Sequence, residues 1–434
     1  MSEHQDTFAS RDECLVALAR MAAGAIAVAR YPVVEVLRTC ALQTLPDSTS
    51  LLRSPFNAIH ASMHRWTHED RTFVTPSNDF LYLNGWIDLT NGPVMLDIPA
   101  MQDDRYYVVE LLDAFTNNFV NLSPRNAGLR GGRFVLHPRG TVPEPGDHEA
   151  VACPTGLVWL LGRVLVKDDD DLACAQQIAN TFRLSGAASA GPSSIQAWKK
   201  GGDPALDFFQ NVFNSLADVP MQEDEAAALC MLARFFGRNG DSIDVATLPA
   251  PIQQGLRLGY EDARRLIVAF SGSPAESGWA YSLKLGRYRH AHLPRACVAF
   301  KGIGALAAEE AVYATTDFDD AGMHLHGSRK YMLHFPAGQL PPVDAMWSLS
   351  LYGENRFFVD NPIRRYAIGD RTPDLQYDAD GGLRIQIQHD APASECNWLP
   401  APAGRFYLIL RLYHPQAVFL EGRYVIPGVH AVQA

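Results

Sequence analysis

The sequence has no excess of basic charge and no close cysteine pairs. Its 434 residues include 37 Lys and Arg against 48 Asp and Glu, a formal net charge of −11. Because affinity for nucleic acid depends on neutralising phosphates with Lys and Arg, we expect no nucleic-acid partner. The seven cysteines are dispersed, with no Cys-x-x-Cys spacing, which predicts free thiols in a reducing compartment.

A long uninterrupted apolar run is also missing. The most apolar segment, LVALARMAAGAIAVARYPVVEVL, contains Arg20, Arg30 and Pro32. We therefore expect an amphipathic N-terminal helix rather than a membrane span or a signal peptide, and hence a cytoplasmic protein with no membrane partner.

Two groups of catalytic motifs are absent as well. The chain has no Gly-x-Ser-x-Gly, the turn that presents a nucleophilic serine. It has neither a phosphate-binding loop nor the Gly-x-Gly-x-x-Gly of dinucleotide-binding proteins. No nucleotide cofactor is expected.

What the sequence does contain is two blocks of strand patterns, from about 70 to 167 and from about 330 to the end, with helical patterns before and between them. Strands that come in runs favour antiparallel sheets over alternating strands and helices. We predict a β-rich α+β fold with two jelly-roll-like antiparallel β-sandwiches. The predicted divisions are a helical segment at 1–45, a first sandwich at 46–168, a helical insert at 169–275 and a second sandwich at 276–434.

One strand pattern, NDFLYLNGWIDL, has two unlike faces. Alternation places Leu81, Leu83 and Ile87 on an apolar face. The opposite face is both aromatic and polar: Asn78, Phe80, Tyr82, Asn84 and Trp86. We expect it to bind substrate in a cleft between the domains, together with Arg105 and Tyr107. An oligomer interface and plain core beneath the helical insert are the alternatives.

Charged residues near these strands could carry acid–base chemistry. Glu110 lies among apolar neighbours in YVVELL, and burial would bring its pKa towards neutral pH. A salt bridge to Arg105 or Arg163 is an equal alternative. The candidate catalytic residues are Glu110, Asp79, Asp113 and Arg163, although Asp113 could serve only to form a turn.

Two His-x-His pairs, His290 with His292 and His324 with His326, are candidate metal ligands. On a strand, residues two apart share a face, so both imidazoles of a pair could bind one transition metal such as Zn, Fe or Cu. The alternative is that all four are exposed loop histidines.

Two further patterns have mainly structural interpretations. His60, His64 and His68 recur every four residues, as on one face of an amphipathic helix. Arg411 lies between leucines in a strand and so faces away from them. A buried arginine needs a carboxylate partner, so a structural ion pair is favoured over binding the acid group of a substrate.

Several long motifs resemble a known family. TPSNDFLYLNGWIDLTNGPVMLDIP and RYYVVELLDAFTNNF are similar to the domain of unknown function 1254. PPVDAMWSLSLY, FVDNPIRRYAIGDRT and NWLPAPAGRFYLILRLYHP are similar to its usual partner, the domain of unknown function 1214. The resemblance implies a two-domain β-rich protein with no agreed reaction. The histidine pairs, Glu110 and Phe80 depart from the family pattern.

These observations together predict a soluble enzyme acting on a small, partly apolar organic molecule by acid–base chemistry, as a lyase, isomerase or hydrolase, with or without a metal. One alternative is a non-catalytic small-molecule-binding or assembly protein, and another is a metal-dependent oxidoreductase. The expected partner is the small-molecule substrate, with a homo-oligomer as a further possibility.

Overall fold

The computed structural model describes residues 10–50, 52–71, 74–231, 243–270 and 278–432. The helices of these ranges are α1 (Arg11–Thr44), α2 (Leu172–Ala179), α3 (Ser193–Gln196), α4 (Pro204–Ser215), α5 (Glu223–Cys230), α6 (Ala250–Ala269), α7 (His292–Gly302) and α8 (Ala417–Leu420), with a 3-10 turn at Val245–Thr247. The strands are β1 (Ile59–Ala61), β2 (Phe80–Asp88), β3 (Val94–Ile98), β4 (Tyr107–Asp113), β5 (Asn118–Leu122), β6 (Gly132–Pro138), β7 (Glu149–Cys153), β8 (Leu157–Leu165), β9 (Arg183–Ser185), β10 (Ala311–Thr316), β11 (Lys330–Phe335), β12 (Val343–Gly353), β13 (Ala367–Gly369), β14 (Leu383–Gln388), β15 (Trp398–Pro400), β16 (Phe406–Pro415) and β17 (Val429–Val432).

The strands form four sheets. In the first half of the chain their orders are β1-β2-β8-β4-β5 and β7-β6-β3-β9, and in the second half β10-β16-β12-β13 and β15-β14-β11-β17. Of the strand pairs in the described ranges, only β6 with β7 and β14 with β15 are parallel. The predicted β-rich chain with an N-terminal helix is confirmed.

The two sheets of the first half share one hydrophobic core. Leu81, Leu83 and Ile87 of β2 are fully buried there and cluster with Leu96 of β3 and Leu136 of β6. The alternation read from the sequence is therefore correct for this face of β2, because successive side chains of a strand point to opposite sides.

The two sheets of the second half enclose a separate core. Leu408, Leu410 and Leu412 of β16 cluster with Leu349 of β12 and Ile385 of β14. The intervening side chains of β16 consequently point to the other face of their sheet.

That other face meets the outer face of the first sheet. Phe80 lies 5.0 Å from Tyr413, measured between ring centroids, and both cluster with Val108, Leu165 and Met346. We call this contact the interdomain layer. It contains Phe80, Tyr82, Tyr106, Glu110 and Arg163 from the first sheet and Tyr313, Ser348, Ser350, Tyr352, Arg411 and Tyr413 from the second.

The rest of the first sheet's outer face is covered by α1. Trp86 and Trp159 stack with centroids 5.1 Å apart and cluster with Leu37 and Cys40 of that helix. By length and composition α1 could cross a membrane. The sequence argument took Arg20 and Arg30 to exclude a membrane span, and this helix shows that they do not. One such helix is weak evidence, since core helices and signal sequences pass the same test.

Two predicted helices differ from the structure. The helix expected to hold His60, His64 and His68 is wrong, because β1 spans Ile59–Ala61 and no helix covers the described residues from 62 to 71. The helix predicted after residue 168 is shorter than expected, and β9 then pairs with β3. The chain therefore returns to the first half's sheets before it reaches α3. Part of the helical pattern between 205 and 270, residues 232–242, lies outside the described ranges.

Candidate functional site

Glu110 belongs to the interdomain layer and is fully buried. Its Oε2 accepts a hydrogen bond of 3.1 Å from Nη1 of Arg163, while its Oε1 is buried with no hydrogen-bond partner. Burial raises the pKa of Glu110 to about 7, although the positive charge of Arg163 opposes that rise. Both sequence interpretations therefore apply to one residue: Glu110 has an arginine partner and a near-neutral pKa.

A second buried carboxylate, Glu310, lies close enough for its charge to add to the rise in the pKa of Glu110. Tyr106 Oη donates to Glu310 Oε1 at 2.7 Å, and Ser123 Oγ donates to Oε2 at 3.0 Å. His414 Nε2 lies 2.9 Å from Oε1. Glu310 thus has several partners that join the two halves of the chain, whereas Glu110 has one.

Ser123, His414 and Glu310 do not form a nucleophilic triad, although their residue types would allow one. Ser123 Oγ and Glu310 Oε1 both contact the same imidazole nitrogen, His414 Nε2, at 3.3 Å and 2.9 Å. A triad needs the carboxylate on one ring nitrogen and the nucleophile on the other. The cluster is therefore centred on the carboxylate.

Arg163 and Arg411 bring two positive charges into the layer. The Arg163 guanidinium lies 5.8 Å from the ring centroid of Tyr82. Arg411 donates to Ser350 Oγ and to the carbonyl oxygen of Thr75, each at 2.8 Å. Among the described residues Arg411 makes no direct ion pair within 4.0 Å, but its charge lowers the pKa of Asp79, so the predicted carboxylate partner acts at longer range.

Asp79 lies at the edge of the layer and joins the two sheets. Its Oδ2 accepts from Ser77 Oγ and Ser348 Oγ, each at 2.7 Å, and its Oδ1 lies 3.3 Å from Nη2 of Arg371. Burial alone would raise the pKa of Asp79, but Arg371, the two serines and the more distant charge of Arg411 together lower it. Asp79 is therefore an ionised structural link.

A surface groove of about 550 Å³ lies beside the layer. Its lining includes His68 and Arg71 from the first half of the chain and Phe358 and Asp360 from the second. Phe358 stacks on Tyr352 with centroids 4.7 Å apart, so the floor of the groove is in contact with a ring of the layer.

Asn84 and Trp86 were predicted to line a cleft, and α1 covers them instead. The Oε1 atom of Gln43 accepts from Asn84 Nδ2 at 3.0 Å and from Trp86 Nε1 at 2.8 Å. Trp159 Nε1 in turn donates to Asn84 Oδ1 at 2.8 Å. This half of the face is therefore buried core. The sequence analysis offered plain core beneath the helical insert as an alternative, but here the covering helix is α1.

Arg105 and Tyr107 also lie outside the layer. Arg105 makes two hydrogen bonds of 2.6 Å to the carboxylate of Asp171, next to the start of α2. Tyr107 is on the core face of β4, and its hydroxyl donates to the carbonyl of Gly128 at 2.7 Å. The predicted substrate-binding role of both is therefore replaced by a structural one.

Asn78 and Asp113 hold the backbone of neighbouring segments. Asn78 Nδ2 donates to the Trp66 carbonyl at 2.6 Å. Asp113 Oδ1 accepts from the backbone N–H groups of Phe115 and Asn117, each at 2.9 Å. Burial raises the pKa of Asp113, but these bonds are turn chemistry, as the alternative for Asp113 proposed.

The first histidine pair does not lie on a strand, so its predicted geometry is wrong. His292 begins α7 and His290 precedes it. His290 Nδ1 and His292 Nε2 each lie 2.8 Å from Oδ2 of Asp224 in α5. The pair therefore links two helices.

The second pair has separate neighbours. His324 stacks on Phe318 with centroids 4.5 Å apart, and His326 Nδ1 lies 2.9 Å from Ser328 Oγ. Within the described ranges, no group of three or more His, Cys, Asp or Glu side chains is arranged to hold a metal ion. The predicted four-histidine site is not assembled.

Sequence reasoning missed the second half's share of the site. Tyr313, Tyr352 and Tyr413 are in the layer, and Glu310 and His414 adjoin it. A signal was present in RLYHP, where Arg411 and Tyr413 alternate with leucines just as the two faces of β2 alternate.

The chain is a two-domain β protein. Each half contributes one sheet to the interdomain layer, which contains buried acids, arginines and tyrosines. Residues 56–186 match the family described as "Protein of unknown function (DUF1254)", and residues 310–417 match "Protein of unknown function (DUF1214)". The chain belongs to the family that carries these two domains in this order, which confirms the resemblance seen in the sequence.

One solved structure shares the architecture. The VPA0106 protein from Vibrio parahaemolyticus is 24% identical with a TM-score of 0.70, over 96% of this chain and 100% of that chain. It has the same fold. A protein from Burkholderia cenocepacia, titled uncharacterized, is 12% identical with a TM-score of 0.47, over 97% of this chain and 96% of that chain. No curated protein matches the chain.

Proposed function

We propose that the protein is an enzyme that transfers a proton to or from a small, partly apolar organic molecule, with Glu110 as the acid–base group. The observation that carries the proposal is the environment of this carboxyl. It is fully buried, one oxygen has no partner, and its pKa is raised to about 7. A group with a pKa near the operating pH is the most effective general acid or base.

The neighbours of Glu110 support this role. Arg163 bonds one oxygen and leaves Oε1 for a proton or a substrate atom. The rings of Tyr82 and Tyr313 supply apolar surface next to this pair. The reaction belongs with lyases, isomerases or hydrolases that need one proton-transferring group. We further propose that each pair of sheets is a β-sandwich and that the protein acts in the cytoplasm.

The test is a substrate screen with a matched variant. The wild type is incubated with a panel of small aromatic and aliphatic acids, esters, alcohols and ketones, and turnover is followed by NMR. Glu110→Gln should abolish turnover of any compound that reacts. Glu421→Gln, the same change at an exposed residue, should retain it. Equal turnover in both variants would contradict the role of Glu110.

A non-catalytic binder is the second candidate. Asp79 and Arg411 each make hydrogen bonds that join the two sheets across the layer. Because these two charged side chains have structural roles, fewer polar groups of the layer remain for catalysis. A binder would take up a ligand in the wild type and in Glu110→Gln alike and would show no turnover in either. The metal-dependent oxidoreductase has no supporting geometry among the described residues.

A further inference from the structure

We propose that His414 and Glu310 form a pH-sensitive contact between the two domains, a neutral hydrogen bond in mildly alkaline solution that becomes an ion pair on acidification. The proposal goes beyond the proposed function, because it does not depend on proton transfer by Glu110. It depends on three observations: the way Glu310 holds His414, the donors around the Glu310 carboxylate, and the second ring nitrogen of His414.

The first observation is that Glu310 holds His414 through both its backbone and its side chain. The His414 N–H donates to the Glu310 carbonyl at 2.9 Å, and His414 Nε2 lies 2.9 Å from Glu310 Oε1. The backbone φ of His414 is 49°, in the left-handed region that residues other than glycine seldom adopt. Such a conformation persists only where surrounding contacts fix it. The imidazole is therefore fixed against the carboxylate.

The second observation is that hydrogen-bond donors face both oxygens of Glu310. Tyr106 Oη donates to Oε1 and Ser123 Oγ donates to Oε2, while Arg125 Nη2 lies 3.5 Å from Oε2. An ionised carboxylate, which only accepts, suits these surroundings. Because the Ser123 hydrogen is directed at Glu310, Ser123 Oγ can only accept from His414 Nε2, 3.3 Å away. In the neutral imidazole the hydrogen is consequently on Nε2.

The third observation concerns Nδ1, the other ring nitrogen of His414. Within the described ranges it makes no hydrogen bond, and the residue is 9% exposed. A proton can therefore be added at Nδ1 without breaking the Nε2 contact. Its addition creates a charged donor 2.9 Å from a carboxylate, and charge-assisted hydrogen bonds are roughly twice as strong as neutral ones. Histidines change charge between pH 8 and pH 5, so the contact should strengthen as pH falls through that range.

Among the described residues, the charged and titratable groups that face His414 are Glu310 before β10, Tyr106 before β4 and Arg125 after β5, with Tyr413 next to it in β16. Arg125 opposes a second positive charge, but its side chain is 43% exposed and contacts the far oxygen of Glu310, so water screens it. Glu310 is fully buried and contacts the imidazole directly. Its attraction for the charged ring is therefore the stronger effect.

The contact acts on the boundary between the domains because Glu310 and His414 belong to the second domain, whereas Tyr106 and Ser123 belong to the first. His414 holds the carboxylate in the position from which it accepts the two hydroxyls of the first domain. A charged His414 holds it more firmly. Acidification should therefore tighten this boundary.

The experiment is a double-mutant cycle, which isolates a pair of residues from the cost of burying either one. Urea unfolding of wild type, His414→Gln, Glu310→Gln and the double variant is measured at about pH 8 and about pH 5.5. Gln at position 414 keeps an N–H for Glu310 and does not titrate. We expect the coupling, expressed as a ratio of unfolding equilibrium constants, to rise by about fivefold on acidification, the difference between a neutral and a charge-assisted hydrogen bond.

The cycle also removes the effect that the charge of Glu310 has on the pKa of Glu110, because that effect occurs with and without His414. His389→Gln is the matched control. His389 is exposed, and its Nδ1 lies 3.0 Å from the backbone carbonyl of Ala401 rather than from a carboxylate. This substitution should change the unfolding constant by the same factor at both pH values.

A coupling that is equal at the two pH values, or that falls on acidification, overturns the proposal. If Glu310→Gln or the double variant does not fold, wild type against His414→Gln decides, and the wild type should gain about fivefold in relative stability on acidification. If no variant folds, amide hydrogen exchange of the wild type decides. After correction for intrinsic rates, the His414 amide should gain protection in acid relative to the Thr75 amide, which donates to the Arg356 carbonyl elsewhere between the domains. An unchanged ratio of the two rejects the contact.

Discussion

Replacing Glu110 with Gln should change how the stability of the protein depends on pH. In the folded protein the pKa of Glu110 is raised from an ordinary 4.5 to about 7 by burial. The folded state therefore holds this proton more tightly than the unfolded state does. Below pH 4.5 both states are protonated and the shift has no effect on stability. Between pH 4.5 and about 7 the unfolded state ionises while the folded state keeps the proton, so stability falls as pH rises, and above about 7 both states are ionised and the loss is complete.

The size of the effect follows from the shift. Each unit of pKa difference corresponds to about 1.4 kcal/mol, so a rise from 4.5 to about 7 corresponds to about 3 kcal/mol of unfolding free energy. Gln has the same shape, keeps an oxygen for Arg163 and does not titrate. The free energy of unfolding of wild type minus that of Glu110→Gln should therefore fall by about 3 kcal/mol between pH 4.5 and pH 8.

Urea unfolding followed by tryptophan fluorescence at several pH values measures this difference. Glu421→Gln is the matched control, because that side chain is exposed. A carboxyl band in infrared difference spectra between pH 6 and pH 8, present in wild type and absent from Glu110→Gln, would show the same proton directly. A difference in unfolding free energy that stays flat with pH would refute a raised pKa. One that grows with pH would mean that Arg163 dominates over burial.

Three further substitutions test the packing. Leu83→Ala should cost about 2–5 kcal/mol of stability, since it opens a cavity in the first core; a loss below about 1 kcal/mol in urea unfolding would argue against that burial. Gln43→Leu should cost about 1–3 kcal/mol for each donor left unpaired, namely Asn84 and Trp86; a red-shifted, more quenchable tryptophan emission would accompany it. Gly259→Ala should cost about 1–3 kcal/mol in melting experiments, because the new Cβ would lie 2.6 Å from an alanine Cβ of α1; an unchanged melting temperature would contradict the close crossing of α1 and α6.

The sequence predicted features that depend on local alternation and missed those that depend on distant partners. Leu81 and Leu83 follow from the period of a strand, and Glu110 from its apolar neighbours. The same parity places Tyr107 on the core face, since it shares that face with Val109. Asn84 donates a hydrogen bond to Gln43 in α1, 41 residues away, and no local sequence pattern predicts that contact.

The arginines show the same limit in electrostatics. Arg105 pairs with Asp171, 66 residues later, so its role is set by a fold that brings the two together. For Arg411 the sequence argument was sound in requiring a counter-ion, because buried charges need compensation. The carboxylate that responds to its charge is Asp79, far away in the sequence, since Arg411 lowers the pKa of that group. What the sequence argument could not supply was the arrangement of the second sheet against the first.

The sheet β1-β2-β8-β4-β5 of the first domain is buried on both faces. This burial determines whether parts of the chain can fold when they are expressed separately. One face of β2 fills the first domain's own core, and the other meets α1 and the second domain. A first domain made alone would expose the aromatic half of its sheet to water, as would a chain without α1. Expression of either piece by itself should therefore yield aggregates, whereas the two halves of the chain produced together should associate and be purified as one particle.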